Sequence, residues 1–171
     1  MNSIRRRFGK IYDKYIDQIY RFIFLKTNSQ EVAEDLTSEV FIKAFEKFKE
    51  DPKIIKNMRA FLYQVARNRV IDFYRQRNKE DNISVDDYKG ISDSNQDLEK
   101  KIYLDSQMEK IKIALANINS DYQDVILMRY VDGLSIGEIA SALNKSESAV
   151  RVSIHRALNS LRKELEKIQK V

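Results

Sequence analysis

The residues best suited to chemistry are arginines gathered in one stretch. Arg59, Arg67, Arg69, Arg75 and Arg77 are joined there by Asn68 and Gln76, and Asp72 is the only acid among them. A guanidinium presents a planar fork of donors that matches phosphate oxygens and the O6/N7 edge of guanine. Tyr63 and Tyr74, in the same stretch, offer stacking surface for unpaired bases. A charged helix face is often merely solvated. The preference for Arg over Lys and the lack of compensating acids favour nucleic acid. Other chemistries find little support. The chain has no Cys and one His, His155, so a thiolate site, a cysteine nucleophile and a multi-His zinc site are all excluded. Gly9, Gly90, Gly133 and Gly137 cannot be spaced as a dinucleotide or P-loop turn. Paired carboxylates are numerous, but no convergent cluster stands out. No metal or cofactor is expected.

The elements that position these residues are helices. Four glycines and one proline in 171 residues leave too few turns for a sandwich or barrel. Phe8, Ile11, Tyr12, Tyr15, Ile16, Ile19, Tyr20, Ile23 and Phe24 follow the period of one buried helix face. Asn28 with Glu31 predicts a capping box for a second helix, whose core face is Val32, Leu36, Val40, Phe41, Ala44, Phe45 and Phe48. Its outer face carries Glu31, Glu34, Asp35, Ser38 and Glu39, acids that suit the helix dipole. A loop over 49–57 holds Pro52 and Lys56, and the arginine-bearing helix follows from about Met58 to Gln76.

Charge divides the chain. Residues 1–79 carry a net +8, residues 80–99 a net −6 and residues 100–171 a net +3. The middle segment is poor in apolar residues and rich in Ser, Asn and Asp, and reads as an acidic flexible linker. The reading is therefore all-α: two small helical domains, 1–78 and 106–171, joined by a linker over 79–105. No run is long and apolar enough to span a membrane, so neither membrane insertion nor a signal peptide is expected, and a cytoplasmic location follows.

Four shorter helices are predicted after the linker. The first carries Met108, Ile111, Leu115 and Ile118 on its core face, and the second Tyr122, Val125 and Ile126. Ser135 with Glu138 predicts a capping box, Asn144-Lys145 a tight turn, and Ser146 the N-cap of the last helix. A short helix, a tight turn and a longer helix make a helix-turn-helix. The outward residues at the start of its second helix are Glu147, Ser148, Arg151, Val152 and His155. In DNA-bound motifs of this kind these positions reach base edges. Arg151 is the best reader, and Arg156 suits a phosphate, a neighbouring helix or a base equally well.

The order of these pieces resembles the sigma-70 family, in its compact extracytoplasmic-function (ECF) group, over roughly residues 8–165. Residues 33–41 (AEDLTSEVF) are similar to region 2.2 of that family, residues 61–75 (FLYQVARNRVIDFYR) to regions 2.3 and 2.4, and residues 122–130 with 133–140 to region 4. The resemblance implies a dissociable promoter-specificity subunit of bacterial RNA polymerase. It assigns Glu34, Asp35 and Glu39 to the β′ clamp of the core enzyme, and the C-terminal domain to the β flap. It assigns Lys56, Arg67, Asn68, Arg69, Asp72, Arg75 and Arg77 to the melted −10 element, where a base is captured out of the stack. It assigns Ser148, Arg151, Val152, His155 and Arg156 to the −35 duplex. The acidic linker is expected on a basic surface of the core enzyme, and an anti-sigma factor is an expected partner. Ser38, where Gln is common, and Ser148-Ala149, where Gly-Thr is frequent, depart from the family pattern, as does Ser153, where a basic residue is frequent. The alternatives are a stand-alone helix-turn-helix regulator, which leaves the N-terminal helices without a role, and a carboxylate-dependent nucleic-acid hydrolase.

Overall fold

The computed structural model describes residues 2–80 and 106–170. Seven α-helices occur among the described residues: α1 (Asn2–Thr27), α2 (Gln30–Glu50), α3 (Met58–Glu80), α4 (Ser106–Asn117), α5 (Ser120–Ile126), α6 (Ile136–Leu143) and α7 (Glu147–Gln169). Lys79 and Glu80, read from sequence as the start of the linker, continue α3; the rest of the acidic segment, and the linker reading of it, lie outside the described residues. A π-helical turn, Leu127–Val131, extends α5. No strand occurs among the described residues. None of the described helices is long and apolar enough to cross a membrane, and no group of metal-ligating side chains occurs among the described residues.

Helices α1, α2 and α3 pack pairwise into an N-terminal bundle. Phe8 sits against Phe41, Phe45 and Phe48, with ring centroids 6.5, 5.1 and 5.7 Å apart. Phe22 meets Tyr63 edge-on at 5.3 Å, in the geometry that aligns ring edge with ring face. The α1–α2 joint departs from the sequence expectation by one residue. Asn28 adopts a left-handed conformation (φ 51°), and Ser29, not Asn28, caps α2 by accepting from the Val32 amide. Asn tolerates that conformation because its short amide bonds locally. The side chain of Asn57 accepts from the Ala60 amide at 3.0 Å and so caps α3.

In the C-terminal half, α7 packs on α4, α5 and α6. The capping box of α6 forms as expected, with Ser135 Oγ accepting from the Glu138 amide and the Glu138 carboxylate from the Ser135 amide. Asn144 turns the chain at φ 52°, and Ser146 caps α7. Ile139 and Val150 are fully buried between α6 and α7. The predicted face of α4 is only partly right: Ile118 is buried, but Met108 and Ile111 are exposed, and Ala114 takes their place in the core.

The two halves meet. Helix α6 lies against α3, and buried apolar residues of both halves form one continuous cluster.

Candidate nucleic-acid interface

Three surfaces carry the residues singled out by sequence. On α2, Glu34, Asp35 and Glu39 are all exposed. Buried Leu36, Val40 and Phe41 fix the opposite face of the helix, so these acids must point outward. Glu34 accepts from Gln30 at 2.9 Å, and Glu39 lies 3.5 Å from Arg69 of α3. Asp35 stands exposed beside them on the outward side of the helix.

On α3, Asn68, Asp72, Arg75 and Arg77 are exposed, as is Lys56 in the preceding loop. Arg75 lies 3.9 Å from Asp72, one helical turn back. Two expected residues are not on an open surface. Arg69 turns toward Glu39. Arg67 is held by the C-terminal half: its Nε donates to Asp124 at 2.8 Å and its Nη2 to Asp121 at 2.7 Å. Burial works against the Arg67 charge, and the carboxylate of Asp124 and then that of Asp121 outweigh it, so its pKa stands above the ordinary value. Tyr63 and Tyr74 offer no stacking surface, which corrects the expectation above. Both rings are buried, and the Tyr74 hydroxyl donates to the Lys26 carbonyl at 2.9 Å, closing the end of α1.

On α7, Ser148, Arg151, Val152, His155 and Arg156 are all exposed on one side, while Val150, Ile154 and Ala157 are buried on the other. The Arg151 side chain reaches Glu147 at 3.3 Å, and His155 contacts Asn159.

A fourth surface was not anticipated from sequence: the seam between the halves. Lys26 and Asp124 form an ion pair at 2.9 Å with side chains only 3% and 2% exposed. Lys26 also donates to the hydroxyl and carbonyl of Ser120, at 2.6 and 3.1 Å. Arg21 donates through Nε and Nη2 to Asp132, at 2.9 and 2.5 Å. Arg59 donates to the Asp132 carbonyl and lies 3.5 Å from Glu138. Every basic member belongs to α1 or α3, and every acid to the segment from α5 to α6. The signal available in the sequence was weak: acids three apart at Asp121 and Asp124, Asp132 eight residues further on, and Arg129 the one base between Asp121 and Glu138.

Tyr63 lies beneath this seam. Burial, and then the carboxylate of Asp132, push its pKa well above the usual tyrosine value. A raised folded-state pKa contributes stability that is fully present below the unfolded value, about 10, and is lost as pH rises beyond it. Tyr63→Phe is expected to lose less stability than the wild type between about pH 9 and 11, as read by urea unfolding. Identical alkaline losses would remove Tyr63 from the account.

The comparisons agree with this layout. Residues 11–80 match the family model for sigma-70 region 2, and residues 109–161 that for sigma-70, region 4. The ECF RNA polymerase sigma factor BldN of Streptomyces coelicolor is 27% identical over 90% of the chain, which spans 58% of that protein. The ECF RNA polymerase sigma factor SigX of Bacillus subtilis is 29% identical over 93% of the chain and 84% of its own length. The fold matches that of the sigma factor RpoE of Bartonella quintana, solved in complex with the anti-sigma factor NepR. The TM-score is 0.73 at 21% identity, covering 94% of this chain and 98% of that one. Two sigma-70 region models in the family's order, with relatives of one kind along nine-tenths of the chain, fix its identity: the chain belongs to the sigma-70 family, in the ECF group, and is a sigma factor of promoter-specific transcription initiation.

Proposed function

We propose that the chain binds core RNA polymerase through α2 and directs it to promoters read by α3 and α7. The observation that carries this is the division of labour among exposed faces: acids on α2, arginines on α3, and a capped recognition helix on α7. Glu34, Asp35 and Glu39 meet basic residues of the β′ clamp, and the C-terminal half engages the β flap. Lys56, Asn68, Arg75 and Arg77 contact the −10 strand, with Asp72 beside them, and Arg67 and Arg69 join them once free of their present partners. Ser148, Arg151, Val152, His155 and Arg156 read the −35 duplex, with Arg151, Val152 and His155 nearest the groove. The role is regulatory, with the polymerase supplying the chemistry, and the cytoplasm is the place where such a partner is met. An anti-sigma factor is the expected antagonist.

Reconstitution with sigma-free core polymerase tests the reading. Promoter selection from a random library by the holoenzyme should return a conserved −10/−35 pair. No stable complex and no promoter-dependent transcript would refute it, and binding to duplex operators without polymerase would favour the stand-alone regulator instead. Asp35→Lys should weaken core binding about tenfold, roughly 1.4 kcal/mol, since like charges then face each other. Unchanged affinity with normal helicity would remove α2 from the contact. Arg151→Ala should cost about 1–3 kcal/mol at one −35 position if its fork reads a base. An equal loss on every sequence would make it a phosphate contact.

A further inference from the structure

The outward face of α7 carries two rows of side chains, each spaced four residues apart. Residues so spaced are neighbours along one side of a helix. The first row is Glu147, Arg151, His155 and Asn159, and its members pair within the helix: Arg151 donates to Glu147 at 3.3 Å, and Asn159 contacts His155 at 3.3 Å. The second row is Ser148, Val152 and Arg156, all exposed. Its centre is apolar. Val152 is 48% exposed, and among the described residues it is the one large apolar side chain exposed on α7. The row is held firmly in place. Val150, Ile154 and Ala157 are buried behind it, and Ser146 accepts from the Ala149 amide at 3.1 Å to fix the first turn. A β-branched side chain in a helix has one strongly preferred rotamer, so the two Val152 methyl groups have a fixed direction.

From Ser148 to Arg156 the row rises about 12 Å, or roughly three to four base steps at about 3.4 Å each. Val152 therefore falls in mid-row, against a single base pair. Its side chain has no donor and no acceptor. Pressed into a major groove, it takes water from the polar edges of guanine, cytosine or adenine and returns no hydrogen bond, which costs free energy. Thymine alone offers an apolar counterpart there, its C5 methyl group. We propose that Val152 is a specificity-determining residue of the −35 contact, selecting thymine at one position through that methyl group. The proposal rests on the assignment of α7 to the −35 duplex. Selection works by exclusion as much as by attraction. An arginine can turn from a base edge to a phosphate, whereas Val152 has nothing to offer either a phosphate or a polar base edge.

The test uses holoenzyme reconstituted from the full chain and core polymerase, on a promoter recovered from the random-library selection. Each −35 thymine, on either strand, is replaced in turn by deoxyuridine, which keeps every hydrogen-bonding atom of the base and lacks only the methyl group. Binding is read by competition against the unmodified promoter. One replacement should weaken wild-type binding about fourfold, which is the transfer free energy of one buried methyl group. In Val152→Ala holoenzyme the same replacement should change binding by less than about 1.5-fold, because the partner of the methyl group is gone and the two changes are coupled. Alanine at an exposed helical position favours the helix, and circular dichroism checks that the variant is folded. An equal deoxyuridine loss in the wild type and in Val152→Ala assigns the methyl effect to duplex shape and overturns the proposal. A −35 element in which no thymine is sensitive, or which contains none, overturns it too, as does a Val152→Ala loss of the same size on every sequence. A wild-type holoenzyme that forms no promoter complex, or shows no −35 preference at all, sinks the reading beneath it instead.

Discussion

Asp124→Ala is expected to cost the packed two-half state about 3–5 kcal/mol, the usual penalty for breaking a buried ion pair from one side. The size follows from what is left behind. The Lys26 ammonium is 3% exposed and would keep only the two oxygens of Ser120. Arg67 would keep Asp121 and partial access to water, so it adds less. Pairing costs charge desolvation that it only partly recovers, so Lys26→Met/Asp124→Leu should regain most of the loss. A urea titration followed by energy transfer between the halves measures both. A single-variant loss below about 1 kcal/mol, the range of exposed pairs, would show that water reaches the ammonium and that the pair is not the anchor described.

The second large effect is expected at Ile139, fully buried between α6 and α7 with Val150. Ile139→Ala should destabilise the C-terminal half by about 2–5 kcal/mol, through lost transfer energy and a cavity that the neighbouring helices only partly fill. Ile139→Val should cost about 0.5–1.5 kcal/mol. The functional consequence is positional. The α6–α7 spacing sets where Arg151 and Val152 stand, so duplex binding should weaken together with stability in the alanine variant. Thermal unfolding and duplex anisotropy on the same samples check the link. Full duplex affinity in a destabilised Ile139→Ala protein would separate recognition from helix spacing.

The helix-turn-helix was legible in the sequence because its punctuation is local. Ser135, Glu138 and Ser146 act on amides within three residues of themselves. The start of α2 was less so. Asn28 and Ser29 are both good caps, and only the left-handed backbone at Asn28 decides between them. The largest misjudgement concerned α3. Periodicity assigns one buried face to a helix, but α3 packs on α1 and α2 and also on α6, so Tyr63 is buried and Arg67 is covered. The partners of Arg67 lie 54 and 57 residues away in sequence. Nothing within the stretch that carries Arg67 distinguishes an arginine awaiting DNA from one already held by a distant carboxylate. The outward acids of α2 and the open face of α7 were placed well, since each sits opposite a single apolar stripe.

The π-helical turn at Leu127–Val131 gives this seam its phase. Such turns are single wide loops within an α-helical path, and each residue of a helix advances the side-chain direction by about 100°. Gly133, at φ 68°, then folds the chain back so that the Leu134 amide reaches the Met128 carbonyl at 2.8 Å. Asp132 sits between these two irregularities, facing Arg21. Shortening the turn to a regular helix would swing that carboxylate roughly a quarter-turn away from its partner. The fit between the halves thus depends on chain length at one point as well as on charge: a one-residue deletion there, with every acid and base retained, would misalign the two surfaces.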